Sequence, residues 1–193
     1  MHEIGTIGEL MERHRRGSGP STDGGVSDRW VVIRLGRIPM PFLNTSARRR
    51  ALALHDVNHL LAGYGTGNIG EAEISAWELA SGGCGPYPAA WALDLAGMLL
   101  GMVRPLRVMK AFAAGRRMRN AYGCEIGEIM DVDLAALRRV LVRSSPSPLP
   151  TFVGSGVLFL AFLILALPLG AAFLVTVILS LPIWAFTKDT PVA

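Results

Sequence analysis

Residues 144–187 contain no charged side chain at all. A stretch this long and this apolar stays out of water only inside a lipid bilayer or a large protein core. At 193 residues the chain is one domain with room for a modest core, so a membrane segment is expected. Two arms, residues 152–167 and 171–186, flank Pro168-Leu169-Gly170. A single spanning helix, for instance over 156–175, would carry Pro168 and Gly170 at its centre and leave further apolar residues to place. A helical hairpin turning at Pro168–Gly170 uses the whole stretch, and is the expectation. Arg138, Arg139 and Arg143 precede the first arm and Lys188 follows the second. Both ends then face the cytoplasm of a bacterial inner membrane, with Trp184 at the interface. Residues 1–19 are polar and charged and lack the apolar stretch of a secretory leader.

The remainder divides into an N-terminal segment, 1–45, partly loop, and a helical domain, 46–143, joined to the tail by a Pro-rich linker, 144–151. Ile4, Ile7, Leu10 and Met11 form one stripe of a short first helix that ends in His14-Arg15-Arg16. Residues 17–28 are Gly- and Ser-rich and read as loop. Trp30 to Leu35 is β-branched, and its neighbour from Ile38 to Leu43 carries Pro39 and Pro41, which makes it a poor strand partner. Asn44, Thr45 or Ser46 can cap a helix that stops at Gly63. Asn68 can cap the next one, and Asp131 or Asp133 the last before the linker. Pro88 opens a strongly apolar helix, expected to be central and buried, in which Asp94 is the single charge. The two cysteines, Cys84 and Cys124, sit in no metal or disulfide pattern. The fold class expected is all-α.

Within the second helix, His55 and His59 stand four apart and Asp56 and His59 three apart, spacings that bring side chains to one helix face. Leu52, Leu54, Leu60 and Leu61 surround them. Burying such polar groups among leucines costs several kcal/mol unless each is paired or ligated. Two imidazoles and a carboxylate suit a divalent cation, zinc first and iron or manganese as alternatives. Glu71 lies at the start of the next helix, where it can close the site or serve as the last member of a capping box with Asn68. The HExxH pattern is absent. An HD-type phosphohydrolase needs further ligands, for which only His14 and Asp94 are on hand. A basic run follows Pro105: Arg104, Arg107, Lys110, Arg116, Arg117 and Arg119, with Val108, Met109 and Phe112 as its apolar side. It suits an anionic lipid surface or a phosphorylated ligand, and no groove-reading motif points to nucleic acid.

His55-Asp56, His59, and Glu71 after eleven further residues resemble the signature of the Coq4 family of coenzyme Q (ubiquinone) biosynthesis proteins. Gly63, the Gly70-Glu71 pair and Phe112-Ala113 with Gly115-Arg116-Arg117 extend the resemblance over residues 46–143. The chain differs from that family at Asn58, where a bulky aromatic is expected, and in its membrane tail. The resemblance implies an all-helical membrane protein that binds a polyprenylated aromatic, a quinone precursor or other prenyl lipid, near a divalent metal. His55, His59 and Glu71 would hold that metal, with Asp56 as fourth ligand or general base. The implied role is catalysis, with oxidative decarboxylation of the head group as the reaction. The alternative is a non-catalytic scaffold that gathers other quinone-biosynthesis enzymes, as a monomer or homodimer.

Overall fold

The structure is a computed structural model, and it describes residues 4–17, 30–35, 38–143 and 151–187. The loop expected over 17–28 lies, beyond Gly17, outside the described residues. So do the linker at 144–150 and Lys188. The chain is mostly helical: α1 (Ile7–Gly17), α2 (Ser46–Ala62), α3 (Asn68–Ser81), α4 (Pro88–Leu100), α5 (Pro105–Gly115), α6 (Ile126–Ile129), α7 (Leu134–Leu141) and α8 (Thr151–Thr187). One strand pair interrupts the all-α expectation. β1 (Trp30–Leu35) runs antiparallel to β2 (Ile38–Leu43), with Trp30 opposite Leu43 and Leu35 opposite Ile38. Pro39 and Pro41 are accommodated because a two-stranded ribbon leaves each strand one edge that needs no donor.

Local chemistry sets the helix ends. Thr45 Oγ1 accepts from the Arg48 amide, and Gly63, at φ 75°, closes α2 by donating its N–H to the His59 carbonyl. Asp133 caps α7 by accepting from the Ala135 and Ala136 amides. The start of α3 departs from expectation. Its cap is Gly67, which offers no side chain, and Asn68 is already helical. Glu71 is thereby released from a capping box.

The expected centre shifts by one helix. α3, not α4, is the middle of the domain, packed between α4 and α5, with Ile74, Trp77 and Glu78 among its fully enclosed side chains. α4 buries only Ala90, Asp94, Leu95 and Met98. Contact is close because three glycines stand where helices meet. A Cβ at Gly115 would overlap the Trp77 carbonyl, at Gly97 the Ser75 hydroxyl, and at Gly101 the Ala72 side chain. α1 is pinned at its start by Ile7 and Gly8 amides donating to the Val132 and Met130 carbonyls. Ile7, Leu10 and Met11 pack inward there, while Ile4 stays outside.

The tail is a correction. α8 is one continuous helix of 37 residues, with Pro168 and Pro182 inside it, and no turn forms at Pro168–Gly170. A proline removes one ladder bond and leaves the remaining helix intact. In an apolar stretch the freed backbone is readily re-satisfied, whereas a turn would expose several groups. Among the described residues α8 is the one helix long and apolar enough to cross a membrane, over the window Gly154–Ala172.

Gly115→Ala should lower stability by about 1–3 kcal/mol, because α3 and α5 must move apart to admit the methyl group. Gly123→Ala, where a Cβ meets nothing, is the control, and thermal melts of the two variants read the difference.

Candidate metal centre

His55 and His59 project from successive turns of α2 toward α3, and Glu71 meets them from the first turn of α3. His55 Nε2 lies 3.2 Å from His59 Nε2 and 3.4 Å from Glu71 Oε2, and His59 Nε2 lies 3.5 Å from Glu71 Oε1. Metal bonds of 2.0–2.1 Å in tetrahedral geometry imply ligand–ligand edges of about 3.3–3.4 Å. The three atoms therefore stand as one face of such a polyhedron.

The outer nitrogens set the tautomers of this face. His59 Nδ1 is 3.0 Å from the Tyr64 carbonyl, which can only accept, so it must carry its hydrogen. His55 Nδ1 is 3.0 and 3.1 Å from the two carboxylate oxygens of Glu78 and donates to them. In neutral rings both Nε2 atoms are then bare lone pairs, pointed at each other and at a carboxylate. Three acceptors converge, and a cation or an added proton on His55 is what they share. Imidazoles braced in this way through their second nitrogen are the usual supports of metal ligands.

Behind His55 lies a cradle built on Glu78, which is fully buried. Its carboxylate accepts from Asn58 Nδ2 at 2.6 Å and from the Tyr122 hydroxyl at 3.4 Å, besides His55. Asn58 is itself fixed, because its Oδ1 accepts from the Ala121 amide. Asn120 donates to the Glu78 and Gly83 carbonyls, which ties the end of α3 to the next loop. Asp94, entering from α4, forms a second close group with His55 and Glu78. Burial and the neighbouring Glu78 charge raise its pKa well above the carboxylate range, so Asp94 holds a proton and donates it to Glu78. Cys84 completes the set by donating Sγ–H to Asp94 Oδ2 at 3.0 Å. Burial pushes the thiol upward, which leaves it neither nucleophile nor thiolate ligand.

The electrostatics follow. Burial alone would lower the His55 pKa, yet Glu78 and Glu71, with a smaller contribution from Asp94, raise it well above the ordinary value. Burial would raise Glu71, but hydrogen bonds and charge from His55 and His59 hold it down at about 2. Glu78 is also held below the ordinary carboxylate value: its own burial opposes this, and His55, Asp94 and Asn58 prevail. A divalent cation on the His55–His59–Glu71 face would balance the Glu71 and Glu78 charges one for one.

Of the residues singled out by sequence, His55, His59 and Glu71 come together, and Asp56 does not. Glu78, Asn58, Asp94 and Tyr122 form the rest of the site. Glu78 had a legible trace, two turns after Glu71 on the same face, and Asp94 was the one charge in an apolar helix. Nothing in the sequence singles out Asn58 or Tyr122 for the cradle.

The basic run is not one helix. α5 ends at Gly115, and Arg116, Arg117 and Arg119 lie in the segment beyond it. Arg107 is engaged by Glu73 through two bonds, 2.8 and 2.6 Å, and Arg116 donates to Ser155 Oγ of α8. Arg104, Lys110 and Arg117 are exposed. Arg138 donates to the Leu60 and Leu61 carbonyls at the end of α2, and Arg143 to the Ser81 carbonyl at the end of α3. These two arginines thus close the helices that carry the site.

No protein-family model matches the chain, and no curated protein or solved structure does either.

Glu78→Ala should cost about 3–5 kcal/mol, the range for removing one partner of a buried charged network, as read by chemical denaturation. A second expectation concerns pH in metal-free protein. Glu71 is held at about 2 against 4.5 unfolded, so its stabilisation is complete above pH 4.5 and is lost as pH falls through 2. His55 is raised from 6.5, so its stabilisation is complete below 6.5 and is lost as pH rises through its folded value. The melting-temperature gap between wild type and Glu71→Gln should therefore be widest between 4.5 and 6.5 and close on both sides. A gap of constant size would show that the pairing is absent.

Proposed function

We propose that this chain is a membrane-anchored helical metalloprotein of Coq4 type, acting on the head group of a prenylated quinone precursor. The observation that carries the reading is the face formed by His55 Nε2, His59 Nε2 and Glu71, with edges of 3.2–3.5 Å and both outer nitrogens already engaged. Two nitrogens and a carboxylate without thiolate suit zinc, with iron or manganese as the other candidates. Three protein ligands leave a position for substrate or water, which is the arrangement of catalytic rather than structural sites. A cation held there would polarise an oxygen of the head group or acidify a bound water.

The chain's own contributions follow from the geometry. His59, held by the Tyr64 carbonyl, and His55, held by Glu78, fix the lone pairs. The Glu71 side chain is 44% exposed against 2% for His59, so substrate approaches from the Glu71 side. Asp56 lies outside the cluster and is given no part in it. The resemblance supplies the substrate class and the reaction, oxidative decarboxylation at the ring. The apolar α8 supplies the anchor, and Arg138, Arg139 and Arg143 before it put the domain on the cytoplasmic face of a bacterial inner membrane.

Purified full-length protein should hold one divalent ion per chain, and His59→Ala should lose it. A strain lacking the chain should accumulate a carboxylated quinone precursor that wild type clears and His59→Ala does not. Normal quinone levels with folded, membrane-bound His59→Ala would instead establish the scaffold role.

A further inference from the structure

α5 and α8 run antiparallel. Arg116, just past the end of α5, donates to Ser155 near the start of α8 at 3.0 Å. Phe112, one turn earlier on α5, meets Phe159 and Phe162 with ring centroids 5.4 and 5.7 Å apart. Moving back along α5 therefore moves forward along α8. Gly154, Ser155, Phe159 and Ala166 are the buried residues of α8 among those described, and all lie in its first half. α5 is docked on that half.

Docking decides which part of α8 can lie in hydrocarbon. Arg104, Arg107 and Lys110 are exposed along α5, beside the docked half. Cationic side chains at bilayer depth are disfavoured by about 2.5–3.5 kcal/mol each. The window Gly154–Ala172, long and apolar enough to cross a membrane, is thus held beside charged groups at the surface. Residues 167–187 remain, and at about 1.5 Å per residue they rise about 31 Å, which matches a hydrocarbon core of about 30 Å.

The same register places the start of α5 at the level where this span begins. Stepping from Phe112 back to Pro105 advances by the same number of residues on α8, to about position 167. At that level three large apolar side chains face outward: Leu100, Val103 at 74% exposure and Leu106 at 67%. Arg104 and Arg107 stand among them. Gly101, in the turn that carries this group, packs on Ala72, and Gly97 packs near the Glu71 carbonyl. The apolar knuckle thus abuts the first turn of α3, which holds Glu71.

We propose that Leu100, Val103 and Leu106 form a second membrane contact, inserted into the phospholipid interface beside the point where α8 enters the bilayer near residue 167. The occupant is lipid because the knuckle continues the apolar surface of α8 at one level, and the exposed Arg104 within it is placed for headgroup phosphates. The inference rests on α8 being a membrane span. It brings the Glu71 side of the cluster to the bilayer surface, where a prenyl chain can stay in lipid while its head group reaches His55 and His59.

Full-length protein carrying Cys124→Ser, with buried Cys84 left in place, would be reconstituted into phosphatidylcholine–phosphatidylglycerol vesicles. Nitroxides at Val103, Val140, Leu160 or Ile178, one at a time, would be tested for collision with oxygen and with a water-soluble nickel chelate. Oxygen should dominate several-fold at Val103 and Ile178, and nickel at Val140 and Leu160. A shielded Ile178 with nickel-accessible Val103 would overturn the knuckle and leave the anchor standing. Shielding at Leu160 with nickel access at Ile178 would overturn the register. Nickel access at both α8 positions would remove the membrane reading itself.

Discussion

A carboxylate with no exposure to water, Glu78, is the constraint on which the domain depends. An unpaired buried charge is untenable, so three elements supply partners: Asn58 and His55 from α2, Asp94 from α4 and Tyr122 from the segment after α5. Each partner is drawn to a set place by a bond of roughly 3 Å, and the helices that carry them are set with it. Apolar packing around Trp77, Phe112 and Leu95 supplies most of the driving force, while the polar hub specifies the arrangement.

That hub and the candidate metal face meet in one imidazole. His55 presents Nδ1 to Glu78 and Nε2 to His59 and Glu71. Charge on either side of the ring is therefore felt on the other. A cation or a proton at the open face strengthens the bond to Glu78, and Glu78 in turn makes the ring a better donor of its lone pair. Asp94 limits this coupling by keeping its own proton, so the two buried carboxyl groups together carry a single negative charge.

The sequence made one half of this visible. The spacing of His55 and His59 on α2 forces shared orientation, and the turn at Gly63 returns the chain so that Glu71 faces them. Helix ends were also legible where a side chain does the capping, as at Thr45 and Asp133. Legibility failed where the deciding contact is long-range. Asn58 bonds residue 121 and Glu78 bonds residue 122, separations that no local periodicity records. Asp56 sits beside the histidines in sequence and is not in the group they form with Glu71. The hairpin failed because Pro168 and Gly170 weaken a helix in water far more than in an apolar stretch. The helical domain also failed to announce its middle, since α4 is the more apolar helix yet α3 is the more enclosed.

Exposure within the ligand face is graded: His59 at 2%, His55 at 20% and Glu71 at 44%. Two imidazoles form a fixed floor and the carboxylate forms a hinged side wall. An ion held there would leave most readily past Glu71, and swinging a single glutamate side chain is a fast motion compared with opening a helix pair. Its residence time would then be governed by a surface rotamer and not by the stability of the fold. A centre of this kind can sit in a rigid, highly specified scaffold and still exchange its metal quickly.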